Sequence, residues 1–536
     1  MARKVATMVH VSGRLTALTA VHVGGEGATL SQDMPLARDG RDRLFIPGTS
    51  LAGPMRSWWE ARFGERSARE IFGYTARDAG KARKAGEPEG ASRITVLDVP
   101  LDARDADVET RDHVTIDAAT GAAADKGKYD REVVPAGASG TVRLRFEIGS
   151  GRASPDGATD AEVQLDRFAA LVNALTRGEI QIGGAKTRGL GRVRLQVDRA
   201  ESFSPTAHGG MLALLRARTD PAKRGDSFDW ETRAARADGS GRRIVRLSVR
   251  WTSELPVFSL GPSPASAADM APLISGQGDG SLMLPGSSIK GVLRAQAARI
   301  ANTVAGEAGR DLVAALFGAP GKPKQKKNDG EDAGPTKDRG PRPGLGAVSV
   351  ADCPIGPTIA RRDWSALDAG GDESDRVSRA TAALDAATTL KGWRFADHVA
   401  IDRWTGGASD GALYTVLEPG SGQSGSFEIS LDLDRLGFDE IGPDDRRRAG
   451  NAAVVLFLLT LRDLVLGRVT FGFGANRGNG SLTIDTITLS GAGFIGLGEA
   501  PELGLEGLRD WSLFADLKFA ADWTEWCKSP RKEAAA

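Results

Sequence analysis

Cysteine is nearly absent. The chain has 536 residues and two cysteines, Cys353 and Cys527. Two lone thiols in a chain this long exclude a disulfide framework and a cysteine-based zinc site, and point to a reducing, cytoplasmic setting. Histidine is scarce too. His10, His22, His113, His208 and His398 have no metal-ligand spacing to one another or to cysteine. Neither charge is in excess, with Lys+Arg 70 against Asp+Glu 70. Composition therefore lends no support to a nucleic-acid partner, and any basic surface must be local. No apolar run is long enough to span a bilayer. The most apolar, Ala452–Leu461, is flanked by Arg448 and Arg462 and predicts a buried helix, not a membrane segment. Met1–Val11 lacks the apolar core of a signal peptide. There is no phosphate-loop Gly-Lys-Ser/Thr, no Gly-x-Ser-x-Gly and no His-Glu-x-x-His. Common NTPases, serine hydrolases and zinc peptidases are thus unsupported.

What is present is a duplication. Pro47-Gly48-Thr49-Ser50-Leu51-Ala52-Gly53-Pro54-Met55-Arg56 returns as Pro285-Gly286-Ser287-Ser288-Ile289-Lys290-Gly291-Val292-Leu293-Arg294, at an offset of 285 − 47 = 238. Each copy follows a short apolar run and leads into helical apolar spacing. Residues 113–129 return as 398–414 without a gap, and His113, Val114, Ile116, Asp117, Thr120, Gly121, Ala123, Asp125 and Tyr129 are identical to their partners, nine of 17. Val21 pairs with Val257 and Asp33 with Asp269, both at 236. A Gly-rich turn closes each copy, with Lys186, Arg188 and Arg192 in the first and Asn476 and Arg477 in the second. Four pieces recurring in one order outrank any local reading.

The length predicts two to four domains. Strand patterns at 9–23, 94–97, 141–146 and 193–197, with a helix over 165–175, fill residues 1–200, the first domain. Strands at 244–252, 346–353, 427–433 and 481–487, with a helix over 448–466, fill 244–495, the second. The polar stretch 201–243 reads as a linker with a short helix around Met211–Arg216, and 496–536 as a Trp-rich tail that packs on a domain or a neighbour. Residues 75–91 read as an exposed loop, and 319–345, poor in apolar residues, as a disordered insertion. Pro54 disturbs a helix starting at Ser50, and a start at Gly53 would relieve it. The order strand–helix–strand, strand–helix–strand in each half predicts an α+β chain of two tandem ferredoxin-like domains.

Several residues have a chemical and a structural reading. The Gly-rich turns are phosphate cradles beside an arginine, or tight hairpins that need glycine. The Pro-Gly-Ser turn, with Ser50 and Ser288, opens a helix whose N-terminus attracts an anion, or is simply capped. Lys290 adds a cation that Ala52 lacks. Arg56 and Arg294 serve the same ligand or a solvated helix face. Asp33 and Asp269 hold a divalent cation, orient a hydroxyl or make turns.

The duplicated Pro-Gly-Ser/Thr-Ser-Leu/Ile-x-Gly-x-x-Arg motif and the Gly-rich turns together resemble the RAMP superfamily of CRISPR-associated proteins. The likeness is to the backbone subunits of type III effector complexes, two of them fused as in type III-D. The resemblance implies a modified RNA-recognition fold in each half that grips guide RNA (crRNA). It implies a β-hairpin thumb over about 111–137 and 397–420, carrying His113, Tyr129, His398 and Tyr414 and pushing between guide–target base pairs. Catalysis would fall to Asp33 and Asp269, each cutting the complementary target RNA with Mg²⁺ or another divalent cation. Guide contacts would come from His22, Ser50, Arg56, Ser288, Lys290, Arg294, Lys186, Arg188, Asn476 and Arg477, with other type III subunits as partners. Phe258 stands where the first half has His22. Ala52 and Pro54 depart from the family pattern, and 319–345 and the tail lie outside it.

Three other functions fit the residues. One is a guide-binding scaffold whose two aspartates are turn residues. Another is a metal-independent guide-processing RNase, which wants a histidine base near a Gly-rich turn; none lies near one in the sequence. The last is a tandem protein-binding module.

Overall fold

The computed structural model describes residues 5–25, 33–74, 90–104, 107–117, 120, 122–149, 160–219, 225–239, 241–263, 268–319, 345–368, 375–436, 438, 442–498, 501–515 and 519–528. The chain divides into two compact units, 1–113 with 128–186 and 190–242, and 243–536 with 114–127 and 187–189.

The first half runs β1 (Thr7–Ala17), α1 (Gly48–Phe72), β2 (Ile94–Val96), a hairpin of β3 (Glu109–Ile116) and β4 (Ala123–Val133), β5 (Ser139–Ile148), α2 (Asp160–Thr176) and β6 (Val193–Phe203). The sheet order is β2-β5-β1-β6, all antiparallel. The hairpin set aside, this is the ferredoxin-like arrangement, with the first strand between the third and the fourth. Alternation along β1 turns Val9, Val11 and Leu15 inward, where they meet Leu51, Met55 and Trp59 of α1 and Phe168 and Leu171 of α2 in one core.

The second half repeats the plan. Its order is β7 (Ile244–Ser253), β8 (Gly280–Leu284), α3 (Gly286–Phe317), β9 (Val348–Val350), β10 (Cys353–Ile359), a hairpin of β11 (Arg394–Ile401) and β12 (Ala408–Glu418), β13 (Gln423–Asp432), α4 (Pro443–Val465) and β14 (Thr483–Ser490). Here β9-β13-β7-β14 gives the same order, and β8 and β10 extend the sheet past β9 along β13. Both first strands carry a bulge against their last strand, at Ser12/Gly13 and at Arg250/Trp251. The apolar run 452–461 forms a nearly continuous buried stretch inside α4, as its flanking arginines predicted.

The structure departs from the sequence reading in four places. Residues 201–243 are not a bare linker. The short helix expected there spans Gly210–Thr219, but the stretch also holds the end of β6 and a second helix at Trp230–Arg236, and Trp230, Ala234 and Phe228 pack on the first core. The single strand expected over 9–23 stops at Ala17, because Leu18 turns aside to donate to the Arg192 carbonyl and only Val21 rejoins a strand, at Val134. Helix α1 begins at Gly48, not Gly53, and carries Pro54 inside. Gly53 has no Cβ to crowd the proline ring, and the helix start is anchored elsewhere, as shown next. The tail belongs to the second domain. Leu503, Leu508 and Phe514 are buried in its core, Trp523 and Trp526 pack on it, and the buried Asp522 accepts from Asn451 Nδ2 of α4 at 2.6 Å. Residues 75–89, 320–344 and 529–536, among them nearly all of the expected loop and insertion, lie outside the described residues.

Each Pro-Gly motif is closed by a carboxylate from the strand that follows its helix. The Gly48 N–H donates to Asp98 Oδ1 at 2.7 Å, and the Gly286 N–H to Asp352 Oδ1 at 2.8 Å. The glycines also let the helix start lie directly on strand backbone. A Cβ at Gly48 would stand 2.2 Å from the Val96 carbonyl oxygen, and one at Gly286 2.3 Å from that of Val350. Gly48→Ala or Gly286→Ala should therefore cost about 2 kcal/mol or more. Gly291, inside α3 with nothing within 4 Å of its missing Cβ, should instead gain roughly 0.5–1 kcal/mol as Gly291→Ala. Urea midpoints of the full chain check both signs; a neutral Gly286→Ala would disprove the close approach.

Candidate nucleic-acid interface

Asp33 and Asp269 occupy the same place in the two halves, at the foot of the hairpins. Asp33 Oδ2 accepts from the Asp130 N–H at 3.0 Å, and the Asp33 N–H donates to Asp130 Oδ1 at 2.8 Å. Asp269 Oδ2 accepts from the Thr415 N–H at 2.8 Å, and the Asp269 N–H donates to the Thr415 carbonyl at 3.0 Å. The strand partners differ by 415 − 130 = 285, the hairpins' own offset. Both aspartates are exposed, and Oδ1 of each accepts no hydrogen bond from the described residues. Neither aspartate acts merely as a turn residue closing on its own loop. Each is aimed by a strand about a hundred residues or more further on.

The hairpins explain most of their shared identities. Asp117 Oδ1 accepts from the Thr120 N–H at 2.8 Å, and Asp402 Oδ1 from the Thr405 N–H at 2.7 Å, so Asp and Thr build the tip. At the foot, His113 stacks on Tyr129 with centroids 5.0 Å apart, and His398 on Tyr414 at 5.2 Å. Between foot and tip the hairpins present apolar side chains to solvent, Val114 and Ile116 in the first, and Val399, Ile401 and Leu413 in the second, with Trp404 96% exposed at the tip.

The Gly-rich turns adjoin this foot. His22 Nδ1 lies 2.7 Å from the Glu132 carbonyl, which can only accept, so Nδ1 carries the proton and Nε2 the lone pair. Burial holds its pKa below the usual imidazole value, partly offset by that hydrogen bond. The His22 carbonyl accepts from the Gly184 N–H at 2.8 Å. The fold thus brings a neutral histidine to the first Gly-rich turn, which sequence distance concealed. In the second half the Phe258 carbonyl accepts from the Phe473 N–H at 2.7 Å, the same bond with a ring that has no base. Lys186, Arg188, Asn476 and Arg477 lie on short 3₁₀ turns. Arg477 Nη1 donates to the Tyr414 hydroxyl, and its guanidinium carbon stands 5.0 Å from the Phe473 ring centroid.

The motif helices differ between halves. The first N–H of each is taken by Asp98 or Asp352 and not by a hydroxyl of the motif, so a further anion would have to share that end; Ser50 and Ser288 sit half-buried beside it. Arg56 Nη1 donates to the Gly73 carbonyl at 2.6 Å and so ties down the end of its own helix. Lys290 is 7% exposed, and its Nζ donates to the Val348 carbonyl at 2.8 Å. Burial lowers its pKa to about 7, with the like charges of Arg188, Arg294 and Arg435 adding to the effect. Arg188 groups with this second unit. Burial likewise lowers the pKa of Arg294. A concentrated positive patch therefore exists in a chain of zero net charge.

Sequence reasoning missed Asp98, Asp352, Asp130, Glu132 and Arg435. For the first two a signal was there: Ile94-Thr95-Val96-Leu97-Asp98 and Val348-Ser349-Val350-Ala351-Asp352 share one pattern. Among the described residues no group of three or more His, Cys, Asp or Glu is placed to hold a metal ion.

Lys290 yields a pH test. Its folded pKa lies below the unfolded value, so the unfolded chain binds more protons between about pH 7 and the ordinary lysine pKa, and this group makes stability rise with pH across that window. Lys290→Met should stabilise the free chain by on the order of 2 kcal/mol near pH 6, less as the pH rises to 10. Denaturant titration of both forms at several pH values measures it, and a pH-independent difference would refute the buried charge.

A 211-residue part of the chain is 26% identical to the CRISPR system Cms endoribonuclease Csm3 of Enterococcus italicus, covering 36% of this chain and 92% of that protein. A relative matched over nearly its whole length by about a third of this chain is about the size of one of its two repeats. The sequence model of the RAMP superfamily matches residues 14–194 and again 239–483, the two ferredoxin-like halves described above, and the chain belongs to that superfamily.

Proposed function

We propose that this protein is a tandem backbone subunit of a type III CRISPR effector complex, of type III-D-like organisation, that binds guide RNA and cuts complementary target RNA once per half. The observation that carries the proposal is the duplicated carboxylate. Asp33 and Asp269 are exposed, and each is held at one oxygen by a hairpin-strand N–H while the other accepts no hydrogen bond from the described residues. Strand-fixed geometry of this kind orients a group for chemistry without the entropy of a mobile side chain. The relative of about one repeat's length is itself described as an endoribonuclease.

One free carboxylate oxygen per site does not make a protein cage for a metal. It does suit Mg²⁺, which is held through one or two carboxylates, with substrate phosphates and waters completing its shell. Asp33 and Asp269 would be its protein ligands. When bound, the cation neutralises charge developing on the scissile phosphate. The hairpins are the thumbs in this reading. Their exposed Val399, Ile401, Leu413 and Trp404 side chains part base pairs and present target RNA to the aspartate at the foot.

Guide RNA lies along the motif helices and Gly-rich turns. Gly291, which the fold leaves bare, sits three residues before Arg294, so a phosphate backbone can approach the helix there. The positive patch around Lys290 supplies the countercharge. Other type III subunits, and the cytoplasm that holds them, complete the setting. A second reading has one observation in its favour: His22, neutral and beside Gly184, has a lone pair to accept a proton, which restores metal-independent RNA cleavage to the first half alone.

The test is cleavage of labelled complementary RNA by the guide-loaded complex, with Mg²⁺ or EDTA, for wild type, Asp33→Ala and Asp269→Ala. Each substitution should erase one distinct product with guide loading intact, and EDTA should erase both. Identical cutting by all three would leave a scaffold. A product that survives EDTA and disappears with His22→Ala would establish the second reading. Gly291→Ala should reduce guide loading severalfold in a filter-binding assay while raising stability, a pair of opposite signs that a purely structural glycine would not give.

A further inference from the structure

We infer that Arg477 is a positioning residue for the second cleavage site, acting through Tyr414, and that the two halves solve this task differently. The inference rests on the cleavage reading above. Tyr414 is the residue before Thr415, whose N–H holds Asp269 Oδ2 at 2.8 Å. The Tyr414 hydroxyl accepts from Arg477 Nη1, and its ring stacks on His398. Arg477 thereby ties the last Gly-rich turn to the strand that aims the aspartate.

Arg477 is placed from behind by aromatic packing. Its guanidinium lies against Phe473, 5.0 Å from the ring centroid, and Phe473 in turn meets Phe258 at 5.7 Å. A planar guanidinium held against a ring has few orientations, so its donors are pre-aimed. The continuous string Phe258, Phe473, Arg477, Tyr414 ends beside Asp269.

The first half cannot build this string, and its sequence says why. With the turns aligned at 477 − 188 = 289, Arg188 matches Arg477, but Phe473 falls on Gly184 (473 − 289 = 184). A glycine provides no ring for an arginine to lie on. His22 needs that space: a Cβ at Gly184 would come 3.2 Å from His22 Cδ2. His22 with Gly184 and Phe258 with Phe473 are thus complementary pairs, exchanged together. The neutral reading, that Arg477 grips a guide phosphate, leaves its bond to Tyr414 and its ring shelf without a purpose.

The experiment uses the guide-loaded complex under single-turnover conditions, following each of the two products separately. Arg477→Ala should slow the product that Asp269→Ala erases by about tenfold, leaving the other product unchanged. Tyr414→Phe should do the same, since it removes the same bond. The double variant should be no slower than either single one, a coupling that marks one shared interaction. Arg477→Lys, which keeps the charge and a donor, should recover part of the rate. Additive effects, or guide loading that falls with both products, would overturn the inference in favour of a phosphate grip. An Asp269→Ala complex that still makes both products would overturn the cleavage reading itself, and this inference with it.

Discussion

A hydrogen bond from a glycine N–H to a strand carboxylate, made once in each half, governs much of this architecture. Asp98 and Asp352 stand two residues beyond short outer strands and receive the first N–H of the helix that precedes them in the chain. The bond satisfies a donor that no helix can satisfy internally, and it puts a negative charge at the positive end of the helix. It also locks helix and strand at the distance of backbone contact, which only glycine permits. From that junction the helix runs over the sheet, its apolar face seals the core, and the Arg56 or Arg294 about two turns later is brought to a defined place. The loop that carries Asp33 or Asp269 enters the same junction from the other side. A carboxylate near the motif is therefore structural in one position and exposed in another, and only the fold tells the two apart.

Periodicity and repetition made the domains readable before any coordinates. Alternation in the strands, the apolar stripe of the helices and the recurrence of four pieces in one order were enough for two ferredoxin-like units, because burial on one face leaves a mark at a period of two or 3.6. In the segment 201–243 the first helix is legible, but the second, Trp230–Arg236, is short and polar, and its hold on the first core rests on a few side chains such as Phe228 and Trp230. Pro54 misled because a helix start was judged from propensity, whereas Asp98, fifty residues on, sets it. The candidate site was legible as residue types and not as relations. Asp33 and Asp269 stood out by their matched spacing, but their strand partners Asp130 and Thr415 could not, since nothing local links positions so far apart. His22 beside Gly184 is the clearest case: 162 residues separate them (184 − 22 = 162), and one backbone hydrogen bond joins them.

The two halves keep one scaffold and differ in polarity at corresponding points. The first has a neutral imidazole and a glycine where the second has two phenyl rings. The first has Ala52 where the second buries an ammonium whose pKa is pushed down to about 7. A buried cation ringed by arginines is a cost to the isolated fold that an anion offsets. The second half is accordingly the one whose stability is most sensitive to what it binds.

Fusion gives that asymmetry a further meaning. In an assembly of separate identical copies, the exchange of His22 with Gly184 for Phe258 with Phe473 would have to occur at every repeat or at none. Joined in one polypeptide, the two versions are made in equal number and in a set order, with no selection step during assembly. The covalent link thus fixes the pairing and order of the two versions in the gene, and each half is free to diverge without the other following.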